Sequence, residues 1–347
     1  MKIIHIANIR QYEVRKMVLF LSRSDLESVL TMSDAINVVE QAFDEFARKT
    51  AKVPLRVPIE VEKEEGIVLF MPAYLEQMEA MSCKVVSVFK NNPQLYNLPT
   101  IHAAVLLIDP KTGQILSIMD GGYLTAMRTG GVSGVATKYL AREEAKKVGL
   151  IGTGVQAEKQ LWAICEVRPI EEAKIYSIDP IERQKAFAKQ MSEKLNIPVS
   201  IATSNKDAVE DADVVLTATW SKTPTFSGDW IKPGTHINGI GSYTPEMQEV
   251  DAGYLITVKK AKVVVDSFEA SFTEAGDLII PLENRDITKE HIYAELGDLV
   301  IGKKPGRTSE DEITFFKSVG MAIQDASAAK HAYLAAKDRN IGTEIYF

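Results

Sequence analysis

Apolar and polar positions change their period twice along this chain. After Met17 a short apolar run, VLFLS, predicts a strand, and Ser24 then precedes an apolar-periodic helix. In the next segment, TMSDAINVVEQAFDEFARKT, Ile36, Val39, Ala42, Phe43 and Phe46 recur at helical spacing, with Ser33 placed to cap the start. RVPIEVE, GIVLFMPAYL, MSCKVVSVF and AAVLLIDPKTGQILSIMDG then read as strands. The last is a hairpin, because turn-forming residues at 109–113 separate a pair of β-rich runs. From Leu124 a helical pattern carries through TAMRTGGVSGVATKYLA.

There the period changes again. KVGLIG, QAEKQLWAICEV, AKIYSID and PIERQKAFAKQMSEKL alternate as strand, helix, strand, helix, and VSIAT, DADVVLTAT, GTHINGIG and AKVVVDS add apolar strands. Continuous Val/Ile/Leu runs separated by helices predict a parallel, doubly wound sheet covered on both faces. The chain closes on SEDEITFFKSVGMAIQDASAAKHAYLAAKDRNIG, a long helical pattern with Gly342 near its stop. The predicted fold class is therefore α/β. A Rossmann-type domain spans residues 141–321, and a discontinuous α+β domain spans residues 1–140 and is completed by a C-terminal helix over 322–347.

Composition narrows the functional classes. The 347 residues are 46% hydrophobic and 25% charged, with a net charge of -7 mixed along the chain, so no basic stripe marks a nucleic-acid partner. The acidic run EVEKEE at 60–65 reads as solvated surface. Cys83 and Cys165 stand far apart, outside any CxxC or zinc-like spacing, which predicts buried thiols and no metal. No apolar run has the length of a membrane span. MKIIHIANIRQYEVRK lacks a signal-peptide core, and Met17 makes a natural strand start, so residues 1–16 read as an extension or a mis-set start codon. The expected compartment is the cytoplasm.

Gly152-x-Gly154-x-x-Ala157 follows the strand VGLI and opens a helix. The first glycine permits a tight turn, the second admits a pyrophosphate, and Ala157 allows close helix-to-strand packing. The helix N-terminus adds free N–H groups and a favourable dipole. Asp179 ends the second strand 22 residues beyond Ala157, where a carboxylate holds a ribose 2′-hydroxyl. The same carboxylate repels a 2′-phosphate, so NAD is expected over NADP. Thr217 and Thr219 end the fourth strand at the cofactor crevice, a place that β propensity alone also explains.

Candidate catalytic groups are less plain. None of His5, His102, His236, His291 and His331 has the carboxylate setting of an acid–base histidine, and each reads as structural or solvated. Lys84 in MSCKVVSVF shares a strand face with Val86 and Val88, a costly position without a partner or a task, although an edge lysine with its head in solvent fits the same pattern. Arg56 in VPLRVPIEV and Arg128 in TAMRTGG pose the same question, and a guanidinium fork beside small residues suits a carboxylate.

Together PLRVPI, MPAYL, CKVVSVF, the long block NLPTIHAAVLLIDPKTGQILSIMDGGYLTAMRTGGVSGVATKYLA, VGLIGTGVQA and FFKSVGMAIQD resemble the ornithine cyclodeaminase/mu-crystallin family, from about Met17 to the C-terminal helix. The resemblance implies a homodimer, a first domain that holds substrate and dimer surface, and a site in the cleft beside the Rossmann domain. Arg56, Lys84 and Arg128 fall on the family's substrate positions. Thr100, Arg128, Gly152, Gly154, Val155, Gln156, Asp179, Thr217, Thr219 and Ser318 fall on its cofactor positions. Departures bear on the reaction. In GIGSYTPEMQE, Tyr243 stands where cyclodeaminases carry an aspartate and Met247 where they carry a lysine, while Leu69 replaces a glutamate. A phenol with its ordinary pKa of about 10 is no carboxylate base near neutral pH.

These residues favour an NAD(P)-dependent oxidoreductase acting on the α-carbon of a small amino acid or its imine, such as a ketimine or pyrroline-2-carboxylate reductase or an alanine-type dehydrogenase. Arg56 and Arg128 would clamp the carboxylate, Lys84 would hydrogen-bond the same end and polarise or protonate the imine or carbonyl, and Tyr243 would wall the site or contribute a hydroxyl. The alternatives are a redox-neutral ornithine cyclodeaminase and a non-catalytic dinucleotide-binding protein.

Overall fold

The computed structural model describes residues 17–346; the segment 1–16, with His5, lies outside the described residues. Among the described residues, the first sheet runs in the order Thr343–Tyr346, Met17–Leu21, Ile115–Asp120, Ile101–Ile108, Ala80–Phe89, Gly66–Leu75, Ala51–Lys52, with Val57–Val61 also paired to Gly66–Leu75. Every pairing is antiparallel except that of Met17–Leu21 with Ile115–Asp120. The hairpin at 109–113 is closed by Asp109, whose carboxylate accepts from the Lys111 N–H and the Thr112 hydroxyl, while Gly113 takes the left-handed conformation (φ 74°).

The second sheet is wholly parallel, in the order Val199–Ile201, Glu172–Tyr176, Lys147–Ile151, Val214–Thr217, His236–Gly239, Thr314–Lys317, Lys262–Val265, Ile292–Glu295. From Lys147–Ile151 the chain first builds outward on one side and then returns to build on the other. The topological switch point therefore lies between Lys147–Ile151 and Val214–Thr217, where ligands bind in open α/β sheets.

Helix Gly121–Leu140 joins the two sheets and is buried nearly all round, as expected for a helix with no polar stripe. Its glycines set the packing distance. A Cβ at Gly130 would lie 2.7 Å from the Lys159 carbonyl oxygen of helix Val155–Val167, and one at Gly131 would lie 3.0 Å from Ala35 in helix Met32–Ala47. One apolar core extends from the first sheet through this helix to Ile240, Val264 and Phe316 of the parallel sheet.

Four expectations are corrected. Thr31, not Ser33, caps helix Met32–Ala47, in a reciprocal box with Asp34. The terminal helical pattern begins too early in the sequence reading: the β-branched and aromatic run at Thr314–Lys317 is a buried strand, and Gly320 (φ 85°) turns the chain before the helix starts at Ala322. The helix over 322–347 stops at Asp338. Gly342 (φ 100°) then turns the chain into the strand Thr343–Tyr346, beside Met17–Leu21. Cys83 and Cys165 are free and only half-buried.

Candidate active site

At the switch point Gly152 has φ 116°, and a Cβ there would stand 2.6 Å from the Ala218 carbonyl oxygen, so the turn admits only glycine without strain. Gly154 is the N-cap of helix Val155–Val167 and has no side-chain cap; a Cβ on it would meet nothing within 4 Å. The N–H groups of residues 155–157 donate no hydrogen bond among the described residues. Val155 is exposed, and the Gln156 side-chain oxygen is buried without a hydrogen-bond partner. Asp179 accepts from the Thr153 hydroxyl at 2.5 Å and from the Ser177 hydroxyl at 3.0 Å, and these bonds hold its carboxyl below the usual range. An uncapped helix N-terminus, an unpartnered amide oxygen and an ionised carboxylate at the next strand end fit a dinucleotide.

Lys84 lies in the cross-strand row Met71, Lys84, Val105, Met119 on the core face of the first sheet. It is not an edge lysine: its side chain is 2% exposed, and its Nζ meets the Asp325 carboxylate at 2.9 Å. The other Asp325 oxygen accepts from Arg128 Nε at 3.0 Å, and Arg128 Nη1 donates to the Gln324 side-chain oxygen at 2.6 Å. Burial and the Arg128 charge bring the Lys84 ammonium down to about 7, against the opposing pull of Asp325. Burial alone would push the Asp325 carboxyl up, but Arg128 and Lys84 hold it below the usual carboxylate range.

Arg56 reaches the same place from the far side. Its Nη2 donates to the carbonyls of Gly320 (2.8 Å) and Val319 (3.2 Å) and pairs with Glu274 at 2.9 Å. A Cβ at Gly320 would come within 2.6 Å of Arg128 Nη1. The Ser318 hydroxyl and the Val319 and Gly320 N–H groups all donate to Asp266, which fixes the crossover from strand Thr314–Lys317 to helix Ala322–Asp338. A small, partly open cleft is lined by Arg56, Met71, Glu274, Gly320 and Met321. Met71 is the cross-strand neighbour of Lys84 and Gly320 packs on Arg128, so cleft and triad adjoin.

Thr217 is fully buried and its hydroxyl donates to Glu249 at 3.1 Å; the same carboxylate accepts from the N–H groups of Thr219, Gly241 (2.5 Å) and Ser242 (3.1 Å). Tyr243 packs against Ala270, Ala275 and Val319. Thr100 stands apart: its carbonyl accepts from the Phe89 N–H, and its hydroxyl makes no hydrogen bond among the described residues. His236 is buried against Thr314 and His291 bonds Thr288, so neither joins this site. The carboxylates Asp325, Asp266, Glu249 and Glu274 escaped the sequence reading. Only Asp325 carried a signal, an acidic residue in the alanine-rich face of a buried helix.

The sequence pattern described as the ornithine cyclodeaminase/mu-crystallin family matches residues 16–340. A Delta(1)-pyrroline-2-carboxylate reductase of Bacillus cereus is 38% identical over 330 residues, covering 95% of this chain and all of that one. Among solved structures, the Delta(1)-pyrroline-2-carboxylate reductase of Thermococcus litoralis, in complex with NADH and L-proline, superposes with a TM-score of 0.90 at 49% identity, covering 94% of this chain and 100% of that one. An archaeal alanine dehydrogenase dimer with bound NAD gives a TM-score of 0.88 at 38% identity, with 95% and 99% coverage.

Proposed function

The chain belongs to the ornithine cyclodeaminase/mu-crystallin family, and from that premise we propose that it is an NADH-dependent reductase of small imino acids, a cyclic imine carboxylate such as pyrroline-2-carboxylate foremost. The observation that carries this reading is the buried Lys84 ammonium, held to about 7 beside Arg128 and next to the cleft. A group with that pKa gives up and regains a proton near neutral pH. NADH, when bound, supplies the hydride. The chain's own residues do the rest: Arg56 and Arg128 hold the carboxylate and orient the α-carbon, and Lys84 protonates the imine nitrogen. Gly152, Gly154, Val155, Gln156 and Asp179 hold the dinucleotide in this reading, with Asp179 favouring NAD; Thr100, Thr217, Thr219 and Ser318 complete that side.

Redox-neutral cyclodeamination fits less well. At the position of the cyclodeaminase aspartate, the Tyr243 ring fills an apolar niche, and burial raises its phenol further. The homodimer belongs to the same proposal. Leu55, Val57, Ile59, Leu95, Tyr96, Leu98 and Ile101 are exposed on the first sheet and its loops, and exposed apolar residues in such number mark an association surface. A cytoplasmic setting belongs to the same proposal.

The test is a spectrophotometric assay of NADH and NADPH oxidation with pyrroline-2-carboxylate, piperideine-2-carboxylate, and pyruvate plus ammonia. Turnover of a cyclic imine with NADH preferred is expected. Ammonia release from ornithine with no net cofactor oxidation in any mixture would sink the proposal.

A further inference from the structure

Trp220 follows Thr219 in the loop after strand Val214–Thr217, and its side chain is 55% exposed. It is nevertheless held in place. Its ring meets Tyr243 edge-on, with centroids 5.9 Å apart and planes at 80°, a favourable aromatic geometry. The backbone beside both aromatics is pinned by one carboxylate, since Glu249 accepts from the N–H groups of Thr219, Gly241 and Ser242. The Tyr243 ring continues the line inward, packed on Val319, whose carbonyl accepts from Arg56. Trp220, Tyr243 and Val319 thus lead from solvent to the arginine proposed to hold the substrate carboxylate. The carboxylate nearest to Arg56, Glu274, is already paired with it. The wall itself offers no charge to an ammonium-tipped side chain.

We propose that Trp220 is a specificity-determining residue: with Tyr243 it forms an aromatic wall against which the uncharged ring of a cyclic imino acid packs. A wide, ordered and half-bare indole at the ligand edge of a parallel sheet has its apolar surface covered when such a ring arrives. A substrate with only a methyl side chain is too short to use it. The inference rests on the reductase reading and on the Arg56 clamp.

Steady-state kinetics of the wild-type protein, Trp220→Ala and Trp220→Phe test it. Trp220→Ala is expected to raise KM for pyrroline-2-carboxylate and piperideine-2-carboxylate about tenfold, the scale of losing an apolar pocket contact. Trp220→Phe recovers most of the loss, and the Kd of NADH and the KM of pyruvate with ammonia move less than about twofold. Independently of turnover, L-proline added to the NAD⁺-loaded protein quenches indole emission in the wild type and much less in Trp220→Phe. An equal weakening of NADH and of every substrate means that the wall faces the cofactor and overturns the inference, as do unchanged KM values for the cyclic imines or quenching identical in both proteins. If the wild type oxidises NADH with no imine yet proline quenches Trp220, the reductase reading fails while the wall stands. Trp220 lies at the surface, so an unchanged unfolding midpoint separates these outcomes from misfolding.

Discussion

Lys84→Met is expected to lower kcat/KM for imine reduction by about a hundred- to ten-thousand-fold, the usual worth of a positioned proton donor. The size follows from where Lys84 sits. Its stem crosses the apolar row of Met71, Val105 and Met119, and its only ion-pair partner among the described residues is Asp325. Methionine keeps that packing and removes the charge, so the change reports chemistry more than folding. The sign of the pH dependence is fixed as well. Reduction needs the ammonium form, which is lost as pH rises through about 7, so wild-type kcat/KM in that direction falls above this value. In the oxidative direction the neutral amine is the acceptor, and activity rises through the same range. Neither limb belongs to the residual activity of Lys84→Met. A wild-type profile flat across neutral pH, or a variant with full activity, would remove Lys84 from the proton transfer.

Asp325→Asn is the second large effect, and it acts through two neighbours at once. Asp325 is fully buried and joins Lys84 at 2.9 Å to Arg128 at 3.0 Å. Without its charge two cations face each other in the interior, and removing one partner of a buried pair costs about 3–5 kcal/mol. Denaturant unfolding is expected to show a loss of that order. Asp325 also opposes the burial that depresses Lys84, so its removal sends the Lys84 ammonium still lower. The alkaline limb of the reduction profile must then move to more acid pH, an effect that general loosening of the fold does not produce. A destabilised variant with an unmoved limb would leave Asp325 with a purely structural role.

How much of this the sequence disclosed depended on the range of the interaction concerned. The parallel sheet was legible because strands buried on both faces are apolar throughout and helices of regular period separate them, and Gly152, Gly154 and Asp179 stood where local spacing put them. The glycines of TAMRTGGVSGVATKYLA were read as helical without a reason; the reason is close contact with Ala35 and Lys159, both distant in the chain. Local pattern failed at Thr314–Lys317, where a strand and a left-handed Gly320 were taken into the following helix. It failed again past Asp338, where a pairing with Met17–Leu21 sets the structure. The site divides in the same way. Lys84, Arg128 and Arg56 stood out as costly residues in apolar runs, but the carboxylates that pair with them, Asp325 and Glu274, lie roughly two hundred positions away or more. No periodicity reports a contact of that kind. Glu249, which binds two loops of the crevice, looks in the sequence like any surface acid.

The proposed chemistry is hydride exchange at the α-carbon of an imine whose carboxylate lies on Arg56 and Arg128 and whose nitrogen takes its proton from Lys84. The decisive probe is NADH deuterated at the transferring position, supplied with pyrroline-2-carboxylate, with the product read by mass spectrometry and NMR. Proline bearing one deuterium on its α-carbon, formed in step with cofactor oxidation, is the expected product. Proline without the label, or the imine and deuterated cofactor both left unspent while a parallel incubation of the protein with NAD⁺ and ornithine releases ammonia, would refute it.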